Sequence, residues 1–218
     1  LARRIIDHVK AGTTQLEGVE YLNAGREEWF RAAERQLDEL SEDRDAAVRF
    51  IKGYYGDGKT HFMGMVRSIA LRKNWVVTYI SAENTPLNKF DTVYAAVVRS
   101  CVTHEMVQDI GEVGFGEDFD GIRRILDAWY RKMQQNAIEQ CKGDDSDTSI
   151  PRIIREQIDT IVREGLFSPD FRQAVVHYAY NCLQKTPELN SDILRWLRGE
   201  NVRLKDFEIL AKIDRTNS

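Results

Sequence analysis

The sequence is poor in proline and cysteine and has no long hydrophobic run. Its 218 residues include 4 prolines and 3 cysteines. So few prolines favour a helix-rich chain over a sandwich with many turns. The cysteines, Cys101, Cys141 and Cys182, are widely spaced, so they exclude a disulfide framework and a zinc site and are typical of reduced cytosolic thiols. No run of about 18 apolar residues occurs, and we therefore expect a cytoplasmic protein without a membrane partner.

The charge balance limits the class of partner. The chain has 31 basic and 35 acidic residues, which gives a net charge of −4. This balance excludes a generally basic, histone-like nucleic-acid binder and leaves only local basic faces. His104 and His177 have no partners at ligand spacing, so these histidines indicate no metal site. With 42% hydrophobic residues, the chain can build a packed core.

The first third of the chain predicts a mixed α/β unit. Residues 46–52 are partly β-branched and aromatic and end at Gly53, which predicts a strand. A helix is expected from Lys59 to about Arg72, and residues 75–80 predict a second strand. Strand, glycine-rich turn, helix and strand form a βαβ unit, so the two strands should pair in parallel.

The pattern changes after Pro86 to one that is almost entirely helical. We therefore expect two domains, an α/β part over residues 1–86 and a helical insert or subdomain over residues 87–218. A polar, acidic loop is expected over residues 141–149. Apolar spacing predicts helices over residues 90–104, 122–138, 153–163, 170–183 and 191–198.

One motif is sharp. Residues 53–60 read Gly-Tyr-Tyr-Gly-Asp-Gly-Lys-Thr, which matches the phosphate-binding pattern G-x-x-x-x-G-K-[ST] (Walker A) at every fixed position. Glycines let the backbone curl its N–H groups around phosphate oxygens, a lysine reaches the β- and γ-phosphates, and the hydroxyl holds Mg²⁺. The pattern predicts an ATP site with Mg²⁺ at Thr60. The candidate binding residues here are Gly53, Tyr55, Gly56, Asp57, Gly58, Lys59, Thr60 and His61.

The acid that an ATPase of this class needs is missing. A P-loop ATPase holds Mg²⁺ with an acidic residue at the end of an apolar strand, and Glu83 is only a weak candidate because it lies past the predicted strand. Two parallel strands are also too few for a stable sheet. We therefore expect the acidic (Walker B) strand beyond residue 218 of a longer ATPase, or the remaining strands from elsewhere. Catalytic residues stay unassigned, and the 218-residue chain alone should be inactive.

Several segments resemble a known family, the BREX phage-defence ATP-binding proteins of the BrxC/BrxD type. The resemblance runs from Arg4 to about Leu210, and it implies an incomplete, AAA+- or origin-recognition-like P-loop core with a helical insert. Two positions depart from the family pattern, since Tyr54 and Asp57 stand where Asp and Ser are expected. The segments that carry the resemblance are Arg4-Ile5-Ile6 with Gly12, Gly18-Val19-Glu20, Gly25-Arg26-Glu27, Val48-Arg49-Phe50-Ile51, residues 55–62 and Trp196-Leu-Arg-Gly-Glu200.

The resemblance also implies where the base binds. Gly25-Arg26-Glu27 looks like the entry motif of such ATPases, whose preceding loop contacts adenine. Val19 and Arg26 are the binding residues that this likeness implies. An apolar loop with Val19, Tyr21 and Leu22 could cover a flat base, and the alternative is that these side chains only pack at the start of the helix.

The resemblance implies an ATP-binding, ATP-hydrolysing component of a bacterial anti-phage system. Such a component would couple its nucleotide state to assembly with other defence proteins or DNA, as a monomer or homo-oligomer. Two alternatives stay open, a nucleotide-gated scaffold that does not hydrolyse ATP and an origin-recognition-like DNA binder. Arginines that could form a DNA face or an arginine finger, or simply solvated helix faces, are Arg123, Arg124, Arg152, Arg155, Arg195, Arg198 and Arg203.

Overall fold

The structure is a computed structural model that describes residues 19–22, 25–110, 119–141, 146–164 and 168–200, with single positions 3, 6, 7 and 10. Most of these residues are helical. A 3-10 turn at Val19–Leu22 precedes α1 (Glu27–Asp43), α2 (Lys59–Arg72), α3 (Phe90–Ser100), α4 (His104–Ile110), α5 (Gly121–Gln140), α6 (Ser146–Glu164), α7 (Pro169–Leu183), a 3-10 turn at Pro187–Leu189 and α8 (Asn190–Leu197). No helix within these ranges is long and apolar enough to cross a membrane.

The described residues fall into two compact units. The first unit draws on residues 1–79 and 102–117, and the second on residues 80–101 and 118–218. This division does not test the expected domain boundary at residue 86, which stays a prediction. The acidic strand expected beyond residue 218 also stays a prediction.

The first unit packs α1 against α2. Glutamates 27 and 28 occupy the first turn of α1, where carboxylates stabilise the positive end of the helix dipole. The rings of Phe30 and Phe62 stack with centroids 5.2 Å apart. Met65 and Ile69 complete this small core. At the far end of the pair, the Lys73 ammonium bonds the Asp38 carboxylate at 2.7 Å.

The predicted parallel sheet, and with it the α/β P-loop core, is wrong. Residues 45–54 form no strand, and around Val77 the described residues show only an isolated antiparallel bridge to Val102, with two 2.9 Å hydrogen bonds. A strand needs a partner backbone and a face to bury. Phe50 is 94% exposed and Val48 73% exposed, so this segment has no buried face. The strand propensity of residues 46–52 is real, but no second strand pairs with them among the described residues.

The second unit is a helical assembly with two adjoining cores. One core joins α5, α7 and α8 through residues such as Leu126, Tyr178 and Leu197. The other joins α5, α6 and α7 through residues such as Met133 and Ile158. Helix α7 begins with Pro169 after Ser168, whose hydroxyl accepts the Phe171 N–H at 3.3 Å.

Each helix predicted for the second half has a counterpart among the described residues, with shifted ends. The helix predicted over residues 90–104 ends at Ser100, and a separate helix begins at His104. Helix α6 begins at Ser146, so the loop predicted over residues 141–149 is wrong from that residue onward. Ser, Asp and Thr are favoured both in loops and in the first turn of a helix, so composition alone could not separate the two. Residues 142–145 lie outside the described part of the chain.

Candidate functional site

The G-x-x-x-x-G-K-T segment forms a tight loop that leads into α2. Gly56 and Gly58 have φ values of 89° and 77°, a backbone region that glycine enters without strain. The Asp57 N–H donates to the Tyr54 carbonyl at 3.3 Å. In return, the Tyr54 N–H donates to Asp57 Oδ2 at 2.6 Å. The loop is therefore closed by its own hydrogen bonds.

Two cationic side chains are hydrogen-bonded to carbonyls of this loop. Lys59 Nζ donates to the carbonyls of Gly53 at 3.0 Å and Tyr54 at 2.6 Å. Arg26 lies 31 positions away from Asp57, and its Nη2 donates to the Asp57 carbonyl at 2.6 Å. The guanidinium also covers Gly58, where an added Cβ would lie 3.5 Å from Nη1. The turn before α1 thus presents an arginine directly to the loop.

A cavity of about 440 Å³ opens beside the loop within the first unit. Arg26, Lys52 and Lys59 make its lining cationic, and Asp57 is the single carboxylate among the described residues that line it. Its apolar walls come from Trp29, Phe50, Ile51 and Phe62. Cationic groups beside flat apolar rings match the two halves of a nucleotide, a polyphosphate and a base.

The positive charge around the loop also acts on His61. The pKa of the His61 imidazole is lowered from 6.5 by partial burial and by the nearby Arg26 charge. The neutral ring is therefore favoured in the folded protein near neutral pH. His61 lies in the first turn of α2 and is not part of the cavity lining.

The structure brings together some of the predicted site residues and leaves others apart. Arg26, Asp57 and Lys59 line the cavity, whereas Tyr55 projects fully into solvent and Thr60 is exposed. Gly53 backs the Asp57 carboxylate, and nothing lies within 4 Å of a Cβ built on Gly56. The Val19 backbone belongs to the first 3-10 turn, but its side chain lies outside the described residues, so its contact with a base stays a prediction.

Sequence reasoning missed five lining residues, Trp29, Phe50, Ile51, Lys52 and Phe62. Trp29 sits at core spacing in α1, yet it is 70% exposed on the cavity wall. Phe50 was assigned to the strand that is not formed. The available signal was proximity, since Lys52 and Phe62 flank the motif and Trp29 follows Arg26 by three residues.

The described residues contain no cluster of three or more histidines, cysteines or carboxylates that could hold a metal ion. A lone threonine hydroxyl is a weak ligand for Mg²⁺, which is usually held by a few protein oxygens together with substrate phosphates. The Thr60 hydroxyl therefore fits Mg²⁺ only as one ligand beside bound phosphates. Mg²⁺ at Thr60 stays a prediction.

The arginines near residue 200 have partners within the second unit. Arg198 bonds Asp120, and Arg195 Nε bonds Glu200 at 3.1 Å. Glu200 also bonds Arg99 at 3.2 Å. Gly199 and Glu200 close the end of α8 through backbone bonds to Trp196 and Arg195. The Trp-Leu-Arg-Gly-Glu segment therefore has structural contacts along most of its length. Arg203 lies outside the described residues.

The described residues form a largely helical protein in which the loop of residues 53–60 borders a cationic cavity with aromatic walls. The family model for the BREX system ATP-binding protein BrxC/D matches residues 1–215, nearly the whole chain. The chain belongs to this family, as the sequence resemblance implied. Membership implies that the chain binds a nucleotide and that it is a component of BREX defence. Searches of curated proteins and of solved structures found no match.

Proposed function

We propose that the chain binds ATP in the cavity beside residues 53–60 and serves as the nucleotide-responsive component of a BREX defence assembly. The observation that carries the proposal is the convergence of Arg26, Lys52 and Lys59 on one cavity with aromatic walls. Family membership supports the choice of ATP as the nucleotide.

Phosphates would bind at the cationic side. Lys59 Nζ lies on the loop itself, and Arg26 reaches it from the turn before α1. When ATP binds, both cations would exchange backbone carbonyls for phosphate oxygens, which form stronger charge-assisted hydrogen bonds. The positive end of α2 adds to this attraction. Thr60 would supply one ligand to Mg²⁺ carried with the phosphates.

The base would lie against the apolar side. Trp29 and Phe50 are 70% and 94% exposed, so both rings have faces open for stacking. Stacking on an aromatic ring is worth about 1–3 kcal/mol per base. This assignment puts the base on Trp29 and Phe50, rather than on the loop at Val19.

The test is equilibrium binding of a non-hydrolysable ATP analogue by calorimetry with Mg²⁺. Lys59→Ala should weaken binding by about 10- to 100-fold, because hydrogen bonds to charged groups contribute about 1.5–3 kcal/mol. The matched control is Lys132→Ala, which removes the same charge from an exposed position of α5 and should change nothing. No binding by the unaltered chain, or equal affinity for Lys59→Ala, would end the proposal.

The geometry also favours the second candidate function, a nucleotide-gated scaffold without turnover. Among the described residues lining the cavity, the single carboxylate, Asp57, is bonded to the Tyr54 N–H and is not free to orient water. Phosphate release separates the two functions. Release by the intact assembly that rises when DNA or a partner protein is added would exclude the scaffold. ATP binding without release would support it.

A further inference from the structure

The Asp57 carboxylate is hydrogen-bonded to the backbone of the loop of residues 53–60. Its Oδ2 accepts the Tyr54 N–H at 2.6 Å, a short charge-assisted bond to a backbone donor of the loop. The carboxylate also packs on Gly53, where an added Cβ would lie 3.0 Å from Oδ2. In loops of this type, such N–H groups are the donors that hold phosphate oxygens. The Tyr54 N–H is therefore already bonded to an anionic group, the Asp57 carboxylate.

The cations of the loop are held by the same closed arrangement. Lys59 Nζ is bonded to the carbonyls of Gly53 and Tyr54. Arg26 is bonded to the Asp57 carbonyl at 2.6 Å. A phosphate that enters the cavity must draw these cations away from backbone oxygens. It must also displace, or lie beside, a carboxylate of its own sign.

We propose that Asp57 is a built-in competitor of the nucleotide, an autoinhibitory contact that keeps the loop closed until a polyphosphate displaces its side chain from the Tyr54 N–H. The inference rests on the proposed function of this cavity. It assigns Asp57 a role opposite to that of a binding residue, because its negative charge lowers the affinity that Lys59 and Arg26 provide. Removal of the negative charge at position 57 should therefore raise the affinity of the loop for a polyphosphate.

The experiment compares the unaltered chain with variants in which Asp57 is replaced by Ser, Asn or Ala. Each is titrated with a non-hydrolysable ATP analogue and with inorganic pyrophosphate. Asp57→Asn is close in shape and can still accept the Tyr54 N–H, so it removes only the charge. The matched control is Asp45→Asn, since the Asp45 carboxylate also accepts a backbone N–H, that of Ala46 at 2.7 Å, and does not line the cavity.

Asp57→Ser and Asp57→Ala should bind both probes about tenfold more tightly than the unaltered chain, since a hydrogen bond to a charged group no longer competes. Asp57→Asn should gain affinity in the same direction, and Asp45→Asn should stay within about twofold. Far-UV circular dichroism checks that each variant keeps its helix content. If the Ser and Ala variants lose helix content, Asp57→Asn alone decides whether loss of the Asp57 charge raises or lowers the binding affinity.

The outcomes separate this inference from the proposed function. Binding by the unaltered chain that Lys59→Ala abolishes, with equal or weaker binding by the Asp57 variants, overturns the inference and leaves the function standing. Measurable binding by the unaltered chain that Lys59→Ala weakens, with tighter binding by the Asp57 variants, supports both. Absence of binding by every variant overturns both.

Discussion

Replacing Gly199 with alanine should destabilise the second unit by about 2 kcal/mol, and the structure provides two causes. The first cause is the backbone. Gly199 ends α8 with a φ of 76° and donates its N–H to the Trp196 carbonyl at 2.9 Å. A residue with a side chain pays about 1–2 kcal/mol in this left-handed region.

The second cause is a neighbour. A Cβ on residue 199 would lie 3.1 Å from Cδ1 of the Tyr94 ring. That ring is not free to move away, because the Tyr94 hydroxyl donates to the Leu197 carbonyl at 2.9 Å. Moving the ring weakens a bond worth about 1 kcal/mol. In a chain of this size, a loss of 2 kcal/mol lowers the melting temperature by about 4–8 °C.

The assay is thermal and urea unfolding followed by far-UV circular dichroism, in wild-type and Tyr94→Ala backgrounds. The backbone cost should persist in both backgrounds, and the ring contact should contribute only where Tyr94 is present. A loss of unfolding free energy below about 0.5 kcal/mol is the usual range of a neutral surface change. Such a loss would refute both the left-handed conformation of Gly199 and its close contact with Tyr94. An equal loss in both backgrounds would refute the ring contact alone.

Three further predictions follow from burial, charge and the missing acid. Burial raises the pKa of the Cys101 thiol from 9.0 to about 11. Alkylation of Cys101 at pH 8, followed by peptide mass spectrometry, should therefore be about 100-fold slower in the folded than in the unfolded chain. Equal rates would contradict the burial of Cys101. Because the His61 pKa is lowered in the folded state, the unfolded chain binds the proton more tightly, and stability should fall as the pH drops below 6.5 and level off once the folded imidazole is also protonated. The urea concentration at the unfolding midpoint, measured between pH 8 and pH 4, should decrease less for His61→Gln than for the unaltered chain. The same pH profile for both would contradict a His61 pKa lowered by burial and Arg26. The 218-residue chain alone should release no phosphate at a rate near 1 s⁻¹, the low end of ordinary enzymes, and such turnover abolished by Lys59→Ala would reveal an overlooked catalytic acid.

The sequence predicted the helices well because their signal is local. Leu126, Met133 and Ala137 recur at helical spacing, and that stripe is the buried face of α5. The same kind of local pattern failed for residues 46–52. Val48, Phe50 and Ile51 have strand propensity, but a strand also needs a partner backbone, and the local sequence does not show whether one is present.

The candidate site was predicted in part for the same reason. The loop chemistry of Gly58, Lys59 and Thr60 is contiguous, so its motif is visible in the sequence. The cavity wall is not contiguous, because Trp29 meets the loop only through the packing of α1 on α2. The contact between Tyr54 and Asp57 was also out of reach, since it depends on the side-chain direction of an unusual residue within the motif.

The most direct test of nucleotide binding in this cavity is photoaffinity labelling of the chain with 8-azido-ATP, followed by identification of the labelled peptides. If ATP binds here, peptides that contain Trp29 or Phe50 should carry the label, unlabelled ATP should compete with it, and Lys59→Ala should lose it. ATP-competed label confined to peptides of residues 121–200, or label that persists unchanged in Lys59→Ala, would contradict nucleotide binding in this cavity.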